Sequence, residues 1–186
     1  MTAAIFSQAD FHILLLTGKP GVGKTTIIRQ VAAHLDKKTI GGFYTEEIRV
    51  LRERQGFRLV TFDGRERVIA HVNFPKTAQV GKYGVDVCAI DGVVESALAL
   101  SETVEVYLVD EIGKMECLSE QFNQAMRLLL SSDKTIVATV AMRGTGLIGE
   151  CKQRTDSLLW EVAAANRNEL PRQVLAWLER GDRFDQ

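Results

Sequence analysis

Gly18-Lys19-Pro20-Gly21-Val22-Gly23-Lys24-Thr25 is the stretch that decides how this sequence folds. It reads G-x-x-x-x-G-K-T, the Walker A pattern of a phosphate-binding loop. Its glycines permit backbone conformations that a Cβ forbids, so successive N–H groups can turn inward toward an anion. Lys24 brings a flexible ammonium to the β and γ oxygens of a nucleoside triphosphate. Thr25 brings a hydroxyl to Mg²⁺. A helix that begins at this point adds the positive end of its dipole. Gly18 through Thr26 are therefore candidate nucleotide contacts, with Lys24 also catalytic and Thr25 also a metal ligand.

The flanks agree with this reading. Phe11 to Leu16 is a short apolar run, predicted as a strand buried on both faces. Thr25 to Lys38 carries Ile27, Ile28, Val31, Ala32 and Leu35 at helical spacing, with Lys37-Lys38 suited to the C-terminal end of the dipole. Residues 39–72 differ. Three β-type runs are separated by Arg54-Gln55-Gly56 and Asp63-Gly64, which predicts antiparallel hairpins. Residues 73–86 read as loop. Alternation then resumes, with helices over 91–101 and 118–131, a short helix or loop over 147–154, and strands over 104–109, 135–141 and 158–163. A last helix spans 168–180, with Asn168 as N-cap, Pro171 in its first turn and Gly181 as its stop. The expected fold is α/β, a three-layer P-loop NTPase in one domain over 1–186. Its central sheet is mainly parallel, with an antiparallel extension around 39–72.

A strand that ends in acid supplies the second element. Val104 to Val109 runs into Asp110-Glu111, the Walker B arrangement. Asp110 is the candidate partner of Thr25 in holding Mg²⁺. Glu111, at the strand tip, is the candidate that orients the attacking water or takes its proton. Charge builds on the γ-phosphate oxygens during transfer, so a cation aimed there lowers the barrier. Arg143, Lys152 and Arg154 follow the strand 135–141, and ligands bind at the carboxyl ends of such strands, which favours Arg143. Arg167 either stacks on a nucleobase or is exposed beside a turn made by Asn166. Glu46, Glu47 and Arg49 either line the mouth of the site or face water. His12, His34 and His71 are isolated and read as structural.

Composition limits the partners. The net charge of −1 gives no global field for nucleic acid or an anionic membrane. Cys88, Cys117 and Cys151 are far apart in sequence and odd in number, which argues for free thiols over a disulfide framework or zinc site. The first ten residues lack a basic start, and no run is long enough to cross a bilayer, so a cytoplasmic protein is expected, monomeric or weakly oligomeric.

Five strings together resemble a known family: Gly21-Val22-Gly23-Lys24-Thr25-Thr26, Gly42 through Arg49 (G-F-Y-T-E-E-I-R), Val80 through Asp86, Asp110-Glu111-Ile112-Gly113-Lys114-Met115-Glu116, and Asn166 through Leu170. In that order they are similar to the THEP-type nucleoside-triphosphatases, and the resemblance covers roughly residues 11–178. It implies a RecA-like P-loop domain with a catalytic glutamate. It also implies Mg²⁺-dependent cleavage of ATP, GTP, CTP and UTP to the diphosphate and phosphate. Nucleotide contacts carry over to Gly18–Thr25 and to Asp110, Glu111, Ile112, Gly113, Lys114, Met115 and Glu116. Cys117 stands where the family has leucine, a difference of packing.

Lys24, Thr25, Asp110 and Glu111 in one α/β frame favour a hydrolase. A kinase acting on a nucleotide or small molecule is the alternative, with hydrolysis as leakage to water and an acceptor held by the 39–72 insertion. A third reading is a nucleotide-binding switch without turnover. Glu111 argues against it.

Overall fold

The computed structural model describes residues 11–35 and 40–181. β1 (Ile13–Gly18), β2 (Ile40–Val50), β7 (Val106–Ile112), β8 (Thr135–Val140) and β9 (Leu158–Val162) form the parallel part of a single sheet, in the order β2-β7-β8-β1-β9. Beyond β2 the sheet continues antiparallel through β3 (Glu53–Thr61), β4 (Glu66–His71), β6 (Tyr83–Val85) and β5 (Gln79–Val80). β2 therefore belongs to both parts. Its first residues run parallel to β7 and its later ones pair antiparallel with β3.

Helices cover both faces. On one side α1 (Lys24–Ala33) and α5 (Leu170–Gly181) pack on Leu14, Leu16, Val106, Leu108 and Val137. On the other, α2 (Val87–Ala97), α3 (Glu120–Leu130) and α4 (Leu147–Gln153) pack on Ile13, Leu15, Tyr107, Val109, Ile136 and Ala138. Successive residues of one strand thus enter opposite cores, which is why Ile13–Leu16 of β1 is apolar without interruption. Each such Leu or Ile contributes about 1.5–3 kcal/mol through burial. Among the described residues no helix is long and apolar enough to cross a membrane.

Several boundaries differ from the sequence reading. α1 ends at Ala33, and Lys37-Lys38 lie outside the described residues. α2 starts four residues early, because the Asp86 carboxylate accepts the Ala89 N–H at 2.9 Å and caps the helix there. Ser119 does the same for α3 by accepting from Phe122 N at 2.9 Å, so 116–118 becomes a 3₁₀ turn. α5 begins at Leu170 and includes Gly181, so Asn168 does not cap it. Asn166 instead braces the preceding turn, accepting from Ala163 N and donating to Glu161 O, both at 2.8 Å. Residues 73–86 are not all loop, since they contain the β5–β6 hairpin.

The β2–β3 connection also moves. Arg54-Gln55-Gly56 lies within β3, where Gly56 is crowded by the neighbouring strand: a Cβ there would meet Ala70 O at 2.3 Å. The turn is Leu51-Arg52, with φ of 49° and 70°. Two-residue hairpin turns with both φ positive favour Asn-Gly, and left-handed backbone costs other residues about 1–2 kcal/mol each. Leu51 is 94% exposed, so little packing is lost by changing it. Leu51→Asn combined with Arg52→Gly is therefore expected to stabilise the protein by about 1 kcal/mol and raise Tm by about 2–4 °C. A thermal melt showing no rise would reject this account of the turn.

β8 lies between β1 and β7. The carboxyl ends of these three strands open at the same edge of the sheet, where the loop from β1, the acids of β7 and the segment after β8 meet.

Candidate functional site

Gly23 closes the loop at φ 114°, ψ 18°, a left-handed conformation, and no side chain caps α1. The first-turn amides of α1 are thus left for an anion. Lys24 is 7% exposed. Its Nζ donates to Gly18 O at 3.2 Å and lies 3.8 Å from Glu111 Oε1, spanning from the loop to β7.

Asp110 and Glu111 lie within β7 rather than at its tip, and the strand runs on to Ile112. Asp110 is 1% exposed. Its Oδ1 accepts from Thr139 Oγ1 at 2.9 Å, and its Oδ2 from Thr45 N and Oγ1 at 3.5 and 3.4 Å. Burial raises the Asp110 pKa, and the hydrogen bonds from Thr139 and Thr45 oppose that rise. Partial burial raises the Glu111 pKa as well, opposed by the nearby Lys24 ammonium and reinforced by Asp110.

Glu116 sits beneath them. It is buried, and burial first, then the charges of Glu111 and Asp110, push its pKa up to about 8. A Cβ on Gly113 would stand 2.7 Å from Glu116 Oε2 and 3.4 Å from Glu111 Cγ. The two carboxylic side chains thus flank the bare Cα of Gly113. The native state holds more protons than the unfolded chain between the ordinary glutamate pKa and about 8, so Glu116 makes stability fall as pH rises through that window. Glu116→Gln is expected to remove the dependence, gaining on wild type by a few kcal/mol in paired melts at acid and mildly alkaline pH. Parallel curves would overturn the assignment of a buried neutral carboxyl.

Two cavities meet over this group, of about 520 and 580 Å³. Both are lined by Pro20, Lys24, Thr45, Phe57 and Glu111. The first extends along Gly21, Gly23, Thr25 and Thr26 toward the hairpin residues Glu46, Glu47 and Arg54. The second runs from Gly18 and Lys19 past Gly113–Glu116 to Ala141, Met142 and Arg143.

The structure therefore gathers Gly18–Thr26, Asp110, Glu111, Gly113, Lys114, Met115, Glu116 and Arg143 at one end of the sheet. Ile112 points into the core. Val22 packs beside α1, and its carbonyl accepts from Arg167 Nη1 at 3.4 Å, which places Arg167 against the loop. Lys152 donates to Met142 O, while Arg154 is engaged by Leu130 O at 2.7 Å and Asp156 at 2.6 Å. Glu46 and Glu47 line the mouth, and both are paired: Glu46 with Arg29 and Arg58, Glu47 with Arg49 and Arg54. His12 and His34 bond to backbone carbonyls. The three cysteines are free.

Thr45, Thr139 and Phe57 were not singled out by sequence reasoning. Thr139 did leave a signal, as the one hydroxyl in the fully buried run Ile136–Val140. Thr45 stood inside the G-F-Y-T-E-E-I-R string without a role of its own and Phe57 left no signal, because only the folding of the antiparallel extension beside the loop gives them a role.

The model of the family described as NTPase matches residues 13–175. Nucleoside-triphosphatase THEP1 of Thermotoga maritima is 36% identical over 173 residues, 91% of this chain and 98% of that protein. The human cancer-related nucleoside-triphosphatase is 34% identical, covering 84% of this chain and 91% of its own length. The crystal structure of THEP1 from Aquifex aeolicus superimposes with a TM-score of 0.77 at 30% identity, over 89% of this chain and 98% of that one.

Proposed function

Since the chain belongs to this NTPase family and is a nucleoside-triphosphatase, we propose that it cleaves the γ-phosphate with Mg²⁺ and with tolerance for the base. The observation that carries the reading is the contact between the loop and β7: Lys24 Nζ lies 3.8 Å from Glu111 Oε1, beside the buried Asp110 and in the cavity that Thr25 also lines.

Thr25 and Asp110 offer two adjacent hard oxygen donors, a set that suits Mg²⁺. Among the described residues no cluster of three or more His, Cys, Asp or Glu could cage a metal alone, so phosphate oxygens and water would complete the shell. An ion held by Thr25 and Asp110 would neutralise negative charge on the phosphates. The chain does the remainder. Loop amides and the start of α1 take the β-phosphate. Lys24 turns from Glu111 to the γ-phosphate oxygens, which frees the Glu111 carboxylate to orient water in line with the leaving oxygen. Arg143, at the rim of the second cavity, is the cation aimed at the transferring group.

Arg167 supports base tolerance. It lies exposed against the loop, and a planar guanidinium stacks on any base without reading its edge. Phosphate release from ATP, GTP, CTP and UTP, with Mg²⁺ and with EDTA, tests both points. Comparable kcat/KM for all four and complete loss in EDTA are expected. Turnover that survives EDTA would remove the metal assignment, and turnover of a single nucleotide would remove the stacking account.

A further inference from the structure

We propose that the 580 Å³ cavity beside Lys24 and Glu111 is a second-substrate site for an alcohol or phenol with a mainly apolar body and an acidic group, and that the γ-phosphoryl group is transferred to its hydroxyl.

Loop residues 18–20 and 24 and the segment 111–116 border this cavity on the nucleotide's side, and beyond the γ-phosphate hydrolysis needs room for one water only. One attacking water occupies about 30 Å³, whereas pockets for small organic ligands run from about 300 to 1,000 Å³. Its walls are also wrong for water. Phe57, Val80, Met115, Ala141 and Met142 offer no hydrogen bonds from their side chains, and apolar surfaces do not order a solvent molecule.

Phe57 and Val80 come from β3 and β5, in the antiparallel extension that phosphate binding does not require. Phe57 is a braced wall. Tyr83 meets it edge-on at 5.2 Å and the Arg54 guanidinium lies 5.4 Å from its ring centre.

Charge is arranged along the same axis. Lys24 and Glu111 stand at the inner end, and the exposed cations Lys19 and Lys114 stand around the rim. A ligand that fits therefore has its hydroxyl inside and its acidic group outside. Glu116, buried and held largely neutral at pH 7, supplies a hydrogen-bond donor on the floor.

The step balances without another reactant. The acceptor oxygen forms a bond to the γ-phosphorus, and the bond from that phosphorus to the β–γ bridging oxygen breaks. Its electron pair leaves with the nucleoside diphosphate. The hydroxyl proton passes to Glu111 and then to solvent. The inference rests on the hydrolase reading in one respect, that the γ-phosphate lies at Lys24.

The test uses γ-³²P-labelled ATP with Mg²⁺ and three probes: 3-(4-hydroxyphenyl)propanoate, 4-hydroxybenzoate and, without a hydroxyl, 3-phenylpropanoate. Labelled phosphomonoester is expected from at least one hydroxy acid and none from the control, which should slow phosphate release by displacing water. Val80→Trp and Met142→Trp each fill the cavity from a partly exposed position, and each is expected to lower the ratio of transfer to hydrolysis at least tenfold. That ratio is internally normalised, so a partly folded variant still reports. If no labelled ester forms while phosphate release continues at its usual rate, the acceptor site is refuted and the hydrolase reading stands. Competition with hydrolysis without labelled ester refutes the transfer equally. Loss of phosphate release in the unmodified protein would instead strike the hydrolase reading.

Discussion

Lys24→Met is expected to reduce kcat/KM for ATP hydrolysis by about 10³-fold, at the upper end of what one electrostatic contact to a transition state supplies. Methionine keeps the length and apolar stem of a side chain that is 7% exposed, so the fold should persist. Two things are lost together. The γ-phosphate loses its ammonium, and Glu111 loses the cation at 3.8 Å that opposes its raised pKa. The second loss makes the effect depend on pH. The variant's Glu111 pKa moves higher still, so its deficit relative to wild type should be largest in acid and shrink as pH rises. Phosphate release across the pH range, with a melt at each point, measures this. A variant as fast as wild type would remove Lys24 from catalysis, and a deficit independent of pH would separate it from Glu111.

Glu111→Gln has the second largest expected effect, a fall in kcat of about 10²–10⁴-fold, the usual contribution of a positioned base. Glutamine has the same size, and Thr25, Asp110 and the loop are untouched, so binding of a non-hydrolysable triphosphate should survive. In the wild-type enzyme the carboxylate form acts, and burial raises its pKa, so the rate should go on climbing as pH rises above the ordinary glutamate range. The variant should lack that climb. Tight binding with unchanged, negligible turnover in both forms would favour a nucleotide switch over a hydrolase. Together the two variants distinguish a cation that acts on phosphate from a carboxylate that acts on water.

Much of this site was legible because its parts are local. Gly18 to Thr25 encodes a loop conformation through glycines placed at fixed intervals, and the strand before it and helix after it follow from residue spacing. Asp110-Glu111 was legible as acid after an apolar run, although β7 continues through the pair. Helix boundaries were less legible. Asp86 and Ser119 each fix one by a single side-chain bond, and many other polar residues could have done so.

The sequence by itself determined the phosphate loop, the strand–helix alternation and the presence of an antiparallel segment near 39–72, because these depend on neighbours in the chain. Only the tertiary structure decided that β8 lies between β1 and β7, so that Thr139 reaches Asp110 across 29 residues, and that Thr45 and Phe57 wall the site. The physical reason is the pairing of strands. Which strand adjoins which depends on hydrogen bonds and buried faces summed over the whole sheet, and those sums leave little trace in the order of residues along one strand.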